Sequence, residues 1–407
     1  MSATYAYEVR DREGKVVTGT LEADNQTAVA DRLRSMGYSP MSIKQQKEGA
    51  LQKELTIPGF GPKVKLKDLV VFSRQFATMI NSGLSLLRAL VILEEQTENS
   101  KLQEIIGQIA SDVEGGRSLS DAMAEHEDFP KLFIALIRAG ETAGMLDQVL
   151  MRVADTFEAE LALRQKIKSA MTYPVIVFIM AIALTGVMLV FIVPTFESLF
   201  TQLGGSLPLP TQILVSMSEF VSSLLGIILI FVVPIAGWSA FKAYRKTEAG
   251  RLQLDTIKLK LPVFGDLFHK IAIVRFARNL GTLLRAGVPI LQALEITSDT
   301  VNNGVIGKAV DDVKDGVRQG RSIAEPLTEH EVFPAMVVQM IAVGEETGAV
   351  DAMLDKIADF YDREVQATTE QLTALMEPLM IGVLGGIVGG MVIALYMPIF
   401  SIFELVQ

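Results

Sequence analysis

Cysteine is absent from this chain, and only three histidines are present for imidazole chemistry. That absence removes disulfides, iron–sulfur clusters, thiolate zinc sites and cysteine nucleophiles together. His126, His269 and His330 are too few and too scattered in sequence to predict a transition-metal site. Two of them lie in a repeated Glu-His-Glu, centred on His126 and His330, close to Phe-Pro. A metal corner is one reading of that pattern, and a solvated polar connector is the better one. Glu141 and Glu345 recur inside Gly-Glu-x-x-Gly. They could form an acid–base or cation site or meet a partner; the plainer alternative is a carboxylate that satisfies a helix terminus or a salt bridge within a bundle. No G-x-x-x-x-G-K-[ST] occurs, since Gly14-Lys15 and Gly307-Lys308 lack both the preceding glycine and the following hydroxyl. A P-loop ATPase is therefore excluded, and neither H-E-x-x-H nor G-x-S-x-G is present. No catalytic residue and no cofactor is assigned, and the metal question stays open.

The elements that would position these residues are dominated by three apolar runs. No charged residue lies between Lys168 and Glu197, between Glu219 and Lys242, or between Glu377 and Glu404. At 1.5 Å per residue each run crosses a hydrocarbon layer of roughly 30 Å. Mean hydropathy of +0.36 agrees. Three transmembrane helices are predicted, at 171–196, 220–241 and 376–400. Arg164, Lys166 and Lys168 precede the first, and Lys242, Arg245, Lys246 and Arg251 follow the second, whereas the connection 197–219 and the tail 401–407 hold no lysine or arginine. The positive-inside rule then places the N-terminus in the cytoplasm and the C-terminus outside. A formal charge of −10 argues against nucleic acid as a partner.

The chain is also written twice. Phe72–Leu90 lies over Phe276–Leu294, Gly116 over Gly320, Gly140 over Gly344, Pro174 over Pro378 and Pro194 over Pro398, all at one offset. A single offset that includes a membrane run is a duplication. Each copy is a cytoplasmic module, 67–170 or 242–374, followed by a span; the second span returns the chain to the cytoplasm. Within a module, Val71, Phe72, Phe76, Met79 and Ile80 recur at helical spacing, and Gly83 and Gly287 stand where the stripe ends. Ser118-x-x-Asp121 and Ser322-x-x-Glu325 read as N-caps, and Pro130 and Pro334 as first-turn prolines. The fold class expected is mainly α: an integral membrane protein with three spans and two duplicated all-α modules of about six helices.

Residues 1–45 differ, alternating apolar and polar types around an Asp11–Gly14 turn, and read as a small β-β-α-β unit. A linker, 46–66, separates it from the first module. In the third span Gly382, Gly386 and Gly390 recur every four residues, a face that lets another helix approach closely. Glu377 stands at the start of that span, where its carboxylate would interact with the helix N-terminus in the interface. Its duplicate position is Tyr173, so the bundle does not itself require a carboxylate there.

These residues resemble the type II secretion system F family, inner-membrane platform proteins of type IV pilus and type II secretion machines. The resemblance rests on F-x-R followed by glycine at Phe72–Gly83 and Phe276–Gly287, Phe-Pro at Phe129 and Phe333, Gly-Glu-x-x-Gly at Gly140 and Gly344, and Leu-Pro-Leu-Pro-Thr at 207–211. It implies a non-enzymatic scaffold beneath a filament of pilins or pseudopilins and above a hexameric cytoplasmic ATPase, with other inner-membrane subunits and further copies of itself as neighbours. The N-terminal unit is implied as the ATPase-docking element, with Tyr5, Tyr7, Leu33 and Arg34 as candidate contacts. A small-solute transporter is the alternative, and it would be expected to carry ionisable or broken-helix features at midmembrane.

Overall fold

A computed structural model of the protein describes residues 3–10, 16–23, 28–30, 33, 38–45, 62–202 and 207–405. The chain divides into two units, Met1–Lys63 and Val64–Gln407. In the first, β1 (Ala3–Arg10), β2 (Val16–Ala23) and β3 (Ser39–Gln45) form an antiparallel sheet in the order β2-β1-β3. Tyr5 stands opposite Leu21 and Gln45, and Tyr7 opposite Gly19 and Ile43. The Asp11–Gly14 turn lies outside the described residues. Most of the expected helix does too, with only 28–30 and 33 described as helical, so the β-β-α-β unit as a whole is not supported.

The second unit begins with six helices: α1 (Leu66–Asn81), α2 (Leu86–Gln96), α3 (Ser100–Glu114), α4 (Leu119–Ala124), α5 (Lys131–Ala143) and α6 (Leu146–Val187). Their ends follow from residue type. Asn99 and Ser118 accept the backbone N–H of Leu102 and Asp121, the orphan donors of a first turn. Gly83 and Gly287 take φ of +85° and +80°, closing α1 and its duplicate. The buried face of α1 is Leu69, Val70, Phe72, Ser73, Phe76 and Ala77. Val71, read into that stripe from its spacing, points outward and is 47% exposed.

After α6 come a π turn (Met188–Ile192), α7 (Val193–Gln202), α8 (Leu209–Ser222) and α9 (Leu224–Arg245). The second module holds α10 (Glu248–Lys260), α11 (Phe264–Arg285), α12 (Ile290–Thr300), α13 (Gly304–Arg318), α14 (Ala324–Leu327), α15 (Ala335–Thr347) and α16 (Val350–Leu405). Among the described residues helix α10 has no counterpart in the first copy; its Asp255 accepts from the Gly304 N–H at 2.9 Å, holding the start of α13. The two modules bury one contiguous apolar core. Its fillings differ: Phe72, Phe76, Phe129, Phe133 and Phe157 pack ring against ring in the first copy with centroids 5.2–6.4 Å apart, while of these pairs the second keeps only Phe276 against Phe333 at 5.0 Å. Leu280, Val337 and Tyr361 occupy the remaining duplicate positions of the first copy's aromatic set.

Among the described residues, three helices are long and apolar enough to cross a membrane, within Leu146–Gln202, Leu224–Arg245 and Val350–Pro398. In the first and third, the last helix of a module runs unbroken into the apolar segment.

Candidate functional site: the module junction and the paired spans

The Gly-Glu-x-x-Gly turns hold their glutamates in the same way in both copies. Glu141 accepts from the N–H of Leu119 at 2.5 Å and of Ser120 at 3.0 Å. Glu345 accepts from Ile323 at 2.5 Å and Ala324 at 2.9 Å. Each carboxylate thus occupies the positive end of the short helix α4 or α14, where charge-assisted bonds to backbone donors are strong. The glycines of the motif have separate tasks. A Cβ on Gly344 would stand 2.8 Å from the Val350 Cα, so this position admits the start of α16 at close range. Gly348 takes φ of +70° to end α15. His330 lies 3.4 Å from Asp312, and among the described residues no cluster of three or more His, Asp or Glu could hold a metal.

Each module ties its long helix down with the arginine of F-x-R. Arg74 reaches Glu158 and Asp155, both at 2.6 Å, and these carboxylates hold the guanidinium above its ordinary pKa, Glu158 most. Arg278, at the duplicate position, meets Asp362, the duplicate of Glu158. Between the modules, Glu160 on α6 pairs with Arg275 on α11 at 2.8 Å, the two side chains being 19% and 17% exposed. Lys131 and Asp299 add a second bridge across the junction at 2.6 Å.

Where α6 and α16 part near the membrane, a cleft of about 590 Å³ is lined by Lys166, Tyr173, Gln366, Glu370, Thr373 and Glu377. Glu377 and Tyr173 therefore share one opening. Gly382, Gly386 and Gly390 face away from the rest of the chain: a Cβ built on any of them meets no atom within 4 Å.

At the far ends of the spans the chain solves a problem posed by two prolines. Pro194 and Pro398, duplicate positions, carry no N–H and so orphan a carbonyl about a turn earlier. In the third span that carbonyl is Ala394, which accepts from the Thr211 hydroxyl at 2.5 Å. In the first span the π turn shifts the unpaired carbonyl to Leu189, which accepts from Ser218 at 2.5 Å. Both hydroxyls belong to α8, which packs Val215 against Leu189, Val193 and Leu395. One helix thus satisfies both spans, the means by which proline is tolerated in hydrocarbon.

Of the residues singled out from sequence, Leu33 is buried, at 1% exposure. The side chains of Tyr5 and Tyr7, and Arg34 entirely, lie outside the described structure. Arg74 and Thr211 stand in the F-x-R and Leu-Pro-Leu-Pro-Thr motifs, and Glu160 and Ser218 in none, but the partners of all four escape sequence reading because they lie 84, 183, 115 and 29 positions away.

The description "Type II secretion system (T2SS), protein F" matches twice, at residues 72–194 and 276–398, and "Type II secretion system protein F, N-terminal domain" matches residues 1–44. The chain belongs to the type II secretion system protein F family. The two matches start at 72 and 276, the offset of the internal repeat. Among the family's members, the type IV pilus assembly protein PilC of Thermus thermophilus is 46% identical over 98% of both chains. PilC of Myxococcus xanthus is 44% identical over 100% of this chain and 96% of its own. The type II secretion system protein F of Vibrio cholerae is 30% identical over the whole of both. For a protein F family member, the doubled module-and-span pattern is the family unit itself, repeated.

Proposed function

We propose that this chain is the platform of a type IV pilus, coupling a cytoplasmic hexameric ATPase to the assembly of pilin subunits at the inner membrane. A platform protein of a pilus or type II secretion machine is what the family membership carries, and nothing found favours a solute transporter. The observation that carries the pilus reading is full-length identity of 46% and 44% to pilus proteins, against 30% to the Vibrio secretion protein. The fold supplies a means of coupling. Helices α6 and α16, of 42 and 56 residues, are rods of about 63 and 84 Å that join each module to its span without a break. A turn imposed on the modules is thereby carried into the bilayer, where pilins or pseudopilins and other inner-membrane subunits sit. The residues 1–45 are the docking unit for the ATPase, and the Gly382–Gly386–Gly390 face packs on a helix of another copy or of a filament subunit.

The test is a chain lacking residues 1 to 45, in a host whose own platform gene is deleted. It should reach the membrane at normal levels, lose association with the ATPase and assemble no filaments, whereas the full chain restores them. Unchanged ATPase association by the truncated chain overturns the docking role. Restored secretion without filaments by the full chain overturns the pilus assignment.

A further inference from the structure

A polar cavity of about 280 Å³ lies between α6 of the first copy and α11 of the second, lined by Arg152, Asp155, Thr156, Thr282 and Arg285. Its walls are basic arms on hydroxyl stems. Arg152 and Thr156 stand one turn apart on α6, Thr282 and Arg285 one turn apart on α11, and the two buried threonine hydroxyls meet at 3.5 Å. One feature of this cluster lacks an explanation within the chain. Arg152 Nη1 is buried without a hydrogen-bond partner. A second cation faces it: burial, and then the Arg152 charge, hold the Arg285 guanidinium below its usual pKa, although Asp351 and Asp359 pull it upward.

The acidic neighbours do not answer the Arg152 guanidinium. Asp155 is directed to Arg74 at 2.6 Å, and Asp355 is paired with Arg285. Nor does the bundle require the constellation. At the duplicate positions Arg152 is Lys356, Thr156 is Phe360 and Arg285 is Asn81, so it occurs at this one junction. Guanidinium and hydroxyl donors that converge from two helices can serve an oxyanion with several acceptor oxygens, such as a phosphate. We propose that this cavity binds a phosphate-class oxyanion, free or borne by a nucleotide, which joins the first module to the second through Arg152 and Arg285. The anion answers the orphaned donor and separates the two like charges by a shared counter-charge.

The full chain, purified in detergent in a buffer free of phosphate and sulfate, is titrated with inorganic phosphate against chloride of equal ionic strength. Thermal unfolding and phosphorus NMR line width are the readouts. Phosphate should raise the unfolding midpoint saturably and broaden the phosphorus line. Arg152→Gln and Arg285→Gln should weaken binding by about tenfold or more, with Arg152→Lys recovering part of it. Without oxyanion, Arg152→Gln should melt no lower than the parent, because it removes an unpaired buried donor. Parallel titrations with ATP and ADP identify the source: stabilisation by a nucleotide and not by phosphate, lost in Arg152→Gln, assigns a nucleotide phosphate. Should the arginine variants fail to fold, Thr282→Val keeps both charges and should still weaken binding about threefold or more. The proposal is overturned if neither phosphate nor nucleotide differs from chloride, or if Arg152→Gln or Thr282→Val titrates as the parent does.

Discussion

Glu345 spends both carboxylate oxygens on backbone donors, one on Ile323 and one on Ala324. Glutamine offers a single acceptor oxygen, so Glu345→Gln should leave one N–H of α14 unpaired and cost about 1 kcal/mol. The check is hydrogen exchange, about fivefold faster at those amides if the cost is localised there. Unchanged exchange would mean that the packing of α14 and not the carboxylate holds the turn. Glu160 makes a different, pH-dependent contribution. Burial alone would raise its carboxyl, but Arg275 and then Arg164 outweigh burial and hold it below the usual glutamate value. A carboxyl lowered on folding stabilises above its unfolded pKa, and that stabilisation is lost as pH falls through the lower folded one. The parent should therefore lose stability below the ordinary glutamate value of 4.5. Glu160→Gln, weaker by roughly 2–4 kcal/mol at neutral pH, should show a flatter acid limb in unfolding scans. An acid limb of equal steepness in both proteins would remove Glu160 from the account.

At the scale of elements, α8 is a cross-brace and not a mere connection between spans. Its hydroxyls from Thr211 and Ser218 each satisfy a carbonyl that a proline has freed. Thr211→Val keeps the shape and removes the donor, and together with Ser218→Ala it should loosen the ends of the spans far from the modules by about 0.6–2 kcal/mol per bond. Cross-linking between cysteines placed at Val215 and Leu395, which pack together, should fall in the double variant. If it does not, the apolar cluster alone holds α8. The sequence announces some of this and conceals the rest for a physical reason. Uncharged runs of more than 20 residues declare the spans without any tertiary knowledge, and the repeat is visible because one offset suffices. The caps at Ser118 and Ser322 are equally local, each bonding an amide three positions on. Val71 misleads because a stripe read from spacing fixes a period but not which edge of the face is buried. Thr211 is legible only as the end of Leu-Pro-Leu-Pro-Thr, since nothing within a turn of it reveals Ala394.

At the scale of the whole chain, the distribution of cations and the course of the long helices lead to one arrangement. Helices α6 and α16 leave their modules with Arg164, Lys166 and Lys168 on one and Glu370 and Glu377 on the other, then enter apolar segments of similar length. Because both modules bury one core, they must share a side of the membrane. Two spans that leave the same side and end beside α8, held by Thr211 and Ser218, must also end on the same side as each other. The second span, α9, is then the return stroke, with Lys242 and Arg245 in its last turn on the module side. The absence of cysteine makes this arrangement directly measurable. Single cysteines at Ser206, in the connection, and at Ser322, before α14, are offered to a membrane-impermeant thiol reagent in cells with a permeable outer envelope and an intact inner membrane. Ser206→Cys should label at once and Ser322→Cys only after the inner membrane is opened. The reverse pattern would invert the orientation, placing the modules away from any cytoplasmic motor. Labelling of both before opening would contradict the shared side that the common core and the α8 brace require.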